Sequence, residues 1–342
     1  MPKSFNTAVV IGRFQPVHNS HLTLIQAALD AAEKVVVFIG SSNQPRTFKN
    51  PFTFQERANM LFYTLHTNDR KRITFIPQED NLYNDQAWVS EIQQETAKLC
   101  KDDTEIALVG HVKDESCYYI KMFPQWKFID CGFKESLHAT AIREIYFKQD
   151  ANLNYFAGVV PSSVQMFLED FKKTEAFQVV VNERDFIDKY KKQFEVLPYP
   201  PIFVTTDAVV IQSGHVLLIK RRAYPGKGLL ALPGGFLDAH NDKSIEDCMI
   251  RELMEETGIK VPEKVLRGNI KKVKVFDAIG RSARGRTITH CFYIVLTEGE
   301  WNLPKLRAGD DAEKAEWHPI GTLKREQFFD DHYDIILWAL GK

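Results

Sequence analysis

Two groups of side chains in this chain have the types and spacing for work on phosphates. Near the start, the strand-like run Val9-Val10-Ile11 leads into Gly12-Arg13-Phe14-Gln15-Pro16-Val17-His18-Asn19-Ser20-His21. A glycine after a strand permits tight backbone approach, and a helix beginning near His18 offers free amide hydrogens and a positive dipole end to an anion. His18 and His21 lie one turn apart, so both imidazoles can face one ligand. The same spacing suits zinc or simple exposure to solvent; zinc is disfavoured because no third ligand or neighbouring carboxylate lies nearby in sequence.

The second group is Arg251-Glu252-Leu253-Met254-Glu255-Glu256-Thr257-Gly258, downstream of Gly234-Gly235. Glu252, Glu255 and Glu256 occupy i, i+3 and i+4 of a helix, which crowds three carboxylates onto one face. Like charges so placed repel unless a cation compensates them, and hard divalent ions take oxygen ligands. The bland alternative is a solvated acidic face. Gly258 supplies a left-handed helix stop.

Positioning two such groups more than two hundred residues apart calls for two scaffolds, and 342 residues suit two domains. In the first half, strand patterns at Ala8 to Ile11, Lys34 to Gly40, Ile73 to Pro77, Glu105 to Gly110 and Trp126 to Asp130 alternate with helical ones. The helices are expected at about His21 to Ala32, Thr53 to Leu65 and Ala87 to Leu99. That alternation implies an α/β, Rossmann-like domain over residues 1–185, a parallel sheet with helices on both faces and ligands at the carboxyl ends of its strands. The prolines of Leu197-Pro198-Tyr199-Pro200-Pro201 fit neither a helix interior nor a central strand, so residues 186–201 read as a linker. After it, strand patterns at Ile202 to Gln212, Val216 to Lys220, Lys271 to Phe276 and Thr287 to Leu296 surround one strong helix, Ser244 to Thr257. They imply a second α/β domain over residues 202–342, a mixed sheet with flanking helices closed by a helix at about Phe328 to Leu340.

Composition bounds the partners. A formal net charge of -1 offers no broad electrostatic grip for nucleic acid, which leaves small anions. The apolar runs are too short to span a bilayer, so no membrane partner is expected. The five cysteines, Cys100, Cys117, Cys131, Cys248 and Cys291, form no close pair, which fits a reducing cytoplasm. Whether the chain is a homo-oligomer stays open.

The first half resembles the nucleotidylyltransferases, and within them the archaeal-type nicotinamide mononucleotide adenylyltransferases, over about residues 7–175. The resemblance rests on Gly12 to His21, Gly40-Ser41-Ser42, Asn50-Pro51-Phe52-Thr53 with Glu56-Arg57, Asp80 with Asn84 and Trp88, and Thr140-Ala141-Ile142-Arg143. One departure is Ser20, where the family has glycine. The resemblance implies attack of the mononucleotide 5′-phosphate on the α-phosphorus of ATP, giving NAD and pyrophosphate, chemistry that needs positioning and charge neutralisation. It implies that His18 and His21 hold ATP phosphates, Arg143 the leaving pyrophosphate, and Mg²⁺ bridges them. Gly12, Arg13, Phe14, Gln15, Asn84 and Thr140 are expected at the substrate, with Arg57 a further phosphate contact and Trp88 stacked on the nicotinamide ring. A helical tryptophan equally suits the core, and Thr53 with Glu56 reads as a capping box.

The second half resembles the Nudix hydrolases over about residues 202–342. Here fifteen residues separate Gly235 from Arg251, a longer loop than the family pattern, and Asn241 stands where the loop glutamate is usual, with Asp242 beside it. The resemblance implies that Glu252, Glu255 and Glu256 ligate Mg²⁺ or Mn²⁺, which activates water against a diphosphate. Arg251 is expected to orient a carboxylate. The segment Phe276 to Arg286, with Arg281, Arg284 and Arg286, and the segment Gly309-Asp310-Asp311-Ala312-Glu313 resemble the substrate loops of ADP-ribose pyrophosphatases. That implies arginine clamping of the diphosphate and Glu313 as general base.

Together the halves imply a bifunctional enzyme of NAD metabolism that makes NAD from ATP and nicotinamide mononucleotide and splits ADP-ribose into AMP and ribose 5-phosphate. The alternatives are a second domain that only senses ADP-ribose, or one that cleaves another nucleotide diphosphate such as NADH.

Overall fold

A computed structural model describes residues 3–100, 105–112, 115–132, 138–148, 152–296, 302–307, 309 and 312–342. Two compact units divide the chain, Met1–Asn182 and Glu183–Lys342. The division falls inside a helix, α7 (Glu175–Lys192), so residues 186–192, expected to be linker, are instead its closing turns. The prolines act only from Pro198 onward.

The first unit is a five-stranded parallel sheet in the order β3-β2-β1-β4-β5. Its strands are β1 (Phe5–Gly12), β2 (Ala32–Ile39), β3 (Ile73–Pro77), β4 (Ile106–Gly110) and β5 (Lys127–Asp130). Strand alternation decides which face each side chain serves. Ala8, Val10, Val35, Val37 and Ile39 enter one core, whereas Val9, Val36 and Phe38 enter another on the opposite face. The first core takes Leu24, Ile25, Ala28 and Leu29 of α1 (Asn19–Ala31), together with residues of α2 (Phe54–Thr64), α5 (Ala139–Tyr146) and α6 (Ser162–Phe171). The second takes Val89 and Ile92 of α4 (Asp85–Leu99) and Phe123. A short helix, α3 (Thr67–Arg70), precedes β3.

The second unit is a mixed sheet in the order β10-β11-β6-β7-β12. It contains β6 (Ile202–Gln212), β7 (His215–Arg221), β10 (Ile270–Phe276), β11 (Arg286–Val295) and β12 (Ala312–Pro319), with β8 (Leu230–Ala231) on β7 and β9 (Gly234–Phe236) on β6. Among the strand pairings of the described residues, β11–β6 alone is parallel. Helix α8 (Ile245–Thr257) lays Met249, Ile250 and Leu253 against Ala208, Val210 and Leu217 of the sheet; α9 (Glu263–Gly268) follows it. Ser244 Oγ caps its start from Asp247 N–H at 3.1 Å, and Gly258, at φ 51°, ends it as expected. The last helix, α10 (His332–Ala339), is shorter than the sequence suggests because Asp330 adopts a left-handed φ of 44° and breaks the helical path.

Thr53 and Glu56 form the expected capping box. The Glu56 N–H donates to Thr53 Oγ1 at 3.3 Å and the Thr53 N–H to Glu56 Oε2 at 2.8 Å, while Arg46 grips both Glu56 oxygens at 2.7 Å. Replacing Thr53 with alanine should therefore cost about 1 kcal/mol of stability and leave nucleotide affinity unchanged. Denaturant unfolding beside a nucleotide titration checks this; lost affinity at full stability would contradict the capping role.

Candidate active sites

Strand β1 ends at Gly12, beside the carboxyl end of β4, where the strand order reverses and open α/β sheets bind ligands. A Cβ at Gly12 would come within 2.9 Å of the Phe14 ring, so the bare glycine lets that ring fold back and bury. The turn, with Phe14 at φ 55°, delivers His18 to the start of α1. There the His18 N–H donates to His21 Nδ1 at 3.2 Å, and the imidazole centroids lie 3.8 Å apart. Because Nδ1 accepts, the His21 proton resides on Nε2. Burial, then the neighbouring His18 and His111, holds His21 well below the ordinary histidine range. His21 is thus a neutral Nε2–H donor. His111 follows β4, and no motif marks it in the sequence; only the adjacency of β1 and β4 reveals it.

Arg143 reaches this turn from α5. Its Nη1 donates to the Gln15 carbonyl at 2.7 Å and its Nη2 to Thr140 Oγ1 at 3.2 Å, while its buried Nε has no hydrogen-bond partner. Burial, then the charge of Arg13, pushes its pKa down to about 10. A buried cation with a spare donor beside another cation is an anion site in waiting.

Other expected contacts have structural duties. Arg57 is wholly buried, and its guanidinium donates to the carbonyls of Arg13 and Gly40 at 2.6 Å, Thr53 at 3.1 Å and Ser41 at 3.2 Å; it ties the loops after β1 and β2 together instead of facing phosphate. Gln15 likewise clamps both backbone groups of Phe52, at 2.9 and 3.0 Å. Asn84 caps α4 through Ala87 N–H at 3.1 Å. Trp88, only partly buried, packs edge-on to Tyr119 and Phe123 at the margin of a core.

The second site surrounds a cavity of about 300 Å³ lined by Glu252, Glu256, Asp207, Arg221, Arg284 and Asp330 among others. The carboxylates of α8 divide. Glu252 and Glu256 face the cavity, whereas Glu255 is exposed and outside its lining. A Cβ at Gly235 would come within 2.4 Å of the Glu252 carboxyl carbon, so glycine lets that carboxylate lie against the backbone. Glu256 Oε2 accepts the Gly234 N–H at 2.9 Å. Burial first, then the charge of Glu252, raises the Glu256 pKa to about 8; burial raises Glu252 too.

Among the described residues, no three acidic, histidine or cysteine side chains already converge as a metal cage. The donor set nevertheless fits a hard divalent ion, because two desolvated carboxylates facing one cavity are costly when ionised and an ion relieves that cost.

Arg251 organises this face. It donates to Asp242 at 2.8 Å through both Nε and Nη2, to Glu252 at 2.8 Å and to Glu255 at 3.1 Å. Asp242 is therefore the loop carboxylate, and Arg251 holds it well below the usual range. Asn241, the aligned position, serves only to hydrogen-bond Asp238. The inserted residues shift the acid along the loop.

The expected substrate arginines also part. Arg281 lines the cavity from a buried position and is held bidentately by Asp331 at 2.8 Å. Arg284 lines the cavity with a buried Nε that has no hydrogen-bond partner, its guanidinium 5.0 Å from the Phe236 ring centre. Arg286 lies outside the cavity lining, 3.7 Å from Asp277. Glu313 does not fit the base role: the β12–β7 pairing directs it to Lys220 at 3.1 Å, outside the cavity lining. Asp310 and Asp311 lie outside the described residues. Arg221, Asp207 and Asp330 went unforeseen because strand and turn residues join this cavity only through the folded sheet.

A doubly covered parallel sheet with a histidine-bearing turn, followed by a mixed sheet with a carboxylate helix, defines a nucleotide-handling protein of two parts. A cytidylyltransferase-like family model matches residues 9–145 and a NUDIX domain model residues 202–339. The chain is 37% identical over 175 residues to a nicotinamide/nicotinic acid mononucleotide adenylyltransferase of Acinetobacter baylyi, covering 51% of this chain and 90% of that one. It is 33% identical over 157 residues to an ADP-ribose pyrophosphatase of Methanocaldococcus jannaschii, covering 46% and 80%. A crystal structure of a bifunctional NMN adenylyltransferase/ADP-ribose pyrophosphatase from Francisella tularensis, complexed with AMP and a Mn ion, matches with TM-score 0.88 and 34% identity, covering 98% of this chain and 99% of that one. The chain belongs to the family in which a mononucleotide adenylyltransferase domain is joined to a Nudix ADP-ribose pyrophosphatase domain.

The Glu256 shift sets a pH dependence. Its folded pKa of about 8 stands above an unfolded value of about 4.3, so its contribution to the stability of metal-free protein is full below the unfolded value and lost as pH rises through about 8. In chelator, the melting transition of the second unit should fall between about pH 5 and about pH 8, and Mn²⁺ should restore it more strongly at the upper end. A metal-induced shift that ignores pH would remove Glu256 from the ligand set.

Proposed function

We propose that the first unit transfers the adenylyl group of ATP to nicotinamide mononucleotide, and that the second hydrolyses ADP-ribose to AMP and ribose 5-phosphate. The observation that carries the first reading is the neutral, oriented His21 at the start of α1, with the buried Arg143 bonded to the Gln15 carbonyl of the turn that leads to it. The Nε2–H of His21 donates to a phosphate oxygen of ATP, and the spare Nε–H of Arg143 takes charge on the departing pyrophosphate. Both groups are in place before the reaction, so they stabilise developing charge without reorganisation. Mg²⁺ neutralises the triphosphate when bound.

In the second unit Glu252 and Glu256 hold the divalent cation, Mg²⁺ or Mn²⁺, which supplies activated water and charge neutralisation. Arg251 fixes the Glu252 carboxylate, itself anchored by Asp242. Arg284 and Arg221, which line the same cavity, bind the diphosphate. Water adds to one phosphorus, the bridging oxygen leaves, and the two phosphate esters share the protons released.

Substituting His21 by alanine should slow NAD formation by about 10²-fold or more, as loss of one preorganised donor does, and spare AMP release from ADP-ribose. Coupled assays of both products report this, and full NAD synthesis in a folded variant would remove His21 from the site.

Replacing Glu256 with glutamine should produce the reverse pattern, abolishing most AMP release with NAD synthesis near normal. Tight ADP-ribose binding by the unsubstituted protein without any AMP release, in Mg²⁺ or Mn²⁺, would turn the second unit into a sensor.

A further inference from the structure

One carboxylate of the second unit's cavity lies away in sequence from the helix that bears Glu252 and Glu256. Asp330 lines the cavity with Arg221 and Arg284. Its φ of 44° is left-handed, a conformation that is strained for a residue bearing a Cβ. The turn is pinned on both sides: the Phe329 N–H donates to the Leu230 carbonyl at 2.9 Å and the His332 N–H to the Phe329 carbonyl at 3.2 Å. The buried Phe329 ring also lies 4.0 Å beneath the Arg221 guanidinium. The backbone that carries the carboxylate is therefore fixed at the cavity wall.

Its neighbours define its place along the cavity. Arg221 lines the same cavity as Arg284, Glu256, Asp207 and Asp330 and lies within electrostatic reach of all four, so one guanidinium is shared by the cation-facing side and by Asp330. The other acids of this region are engaged: Asp331 by Arg281, and Asp207 by Thr289 at 2.6 Å. Among the described residues no side chain donates a hydrogen bond to Asp330. A diphosphate that runs from the Glu252–Glu256 side onto Arg221 and Arg284 brings whatever follows it toward Asp330. Burial, then the charge of Asp331, raises the Asp330 pKa to about 7 against the pull of Arg284, Arg281 and Arg221; above that pH its carboxylate repels a further phosphate there and accepts hydrogen bonds from hydroxyls, of which a pentose diol offers two.

We propose that Asp330 is a specificity-determining residue that accepts the hydroxyl hydrogens of the sugar beyond the diphosphate and excludes a third phosphate from that position. This rests on the reading of the second unit as acting on a nucleoside diphosphate sugar. Two variants test it. Asp330→Asn keeps shape and removes charge; Asp330→Gly removes the side chain and relieves the left-handed strain, so it folds at least as well. AMP release is followed with ADP-ribose and with ATP, which carries a phosphate where the sugar would lie, in Mn²⁺ and without mononucleotide.

Both variants should lose about 10- to 100-fold in kcat/KM for ADP-ribose, the scale of a hydrogen bond to a charged group. The loss should sit in KM with kcat nearly unchanged, and preference over ATP should narrow by at least about tenfold. An unchanged preference in folded variants, or a loss confined to kcat, overturns the proposal. Calorimetry of ADP-ribose binding, which needs no turnover, reads the same loss. Binding weakened by the substitutions in a protein that never releases AMP would leave Asp330 its role and remove the hydrolase reading instead.

Discussion

Desolvated like charges govern both sites. In the first unit Arg13, Arg57 and Arg143 crowd the loops after β1, and burial lowers the pKa of both Arg57 and Arg143 to about 10. In the second, Glu252, Glu256 and Asp207 share one cavity, and burial raises Glu256 to about 8. Each arrangement is unfavourable in the empty protein and becomes favourable when a counter-charge arrives, phosphate in one case and a divalent cation in the other. The binding free energy thus includes relief of a cost already built into the fold.

Such a cost persists only where the surroundings leave the side chains no escape. Arg57 is locked by carbonyls on four sides of its guanidinium. Arg143 is anchored at Gln15, whose own side chain is clamped to Phe52. In the second unit Arg251 is caught between Asp242 and the carboxylates of α8, and Gly235 lets Glu252 sit against backbone. The end of α8 is held as well, since the Gly309 N–H donates to the Glu256 carbonyl at 3.0 Å. Positioning and charge are therefore two aspects of one design: residues that do not touch substrate keep charged residues from relaxing into solvent.

The departures from the family patterns fit this view. The lengthened Nudix loop places Asn241 where a glutamate is usual, yet the fold recovers an acid at Asp242, whose carboxylate meets Arg251 in the fork geometry guanidinium favours. What the loop must supply is a carboxylate for Arg251, and the structure finds it one residue along.

Local signals made much of this chain readable. Period-two apolar runs in β1 and β2, the helix carrying Glu252, Glu255 and Glu256, the Thr53–Glu56 cap and the Gly258 stop all depend on neighbours within a few residues, and the backbone obeys them. The two motifs likewise brought histidines or glutamates one turn apart to neighbouring positions on a helix, although only Glu252 and Glu256 of the three carboxylates line the cavity. Tertiary structure decided what such spacing cannot carry. It settled that Arg284 and Arg281 line a cavity, Arg281 while held by Asp331, whereas Arg57 ties down carbonyls and Arg286 lies outside, since a guanidinium's duty depends on partners distant in sequence. It joined His111 to His21, and Arg221, Asp207 and Asp330 to Glu256, because parallel strand order and a left-handed turn create adjacency that no local pattern encodes. It also took Glu313 out of the cavity, because the β12–β7 pairing, which depends on the whole sheet, directs that side chain to Lys220.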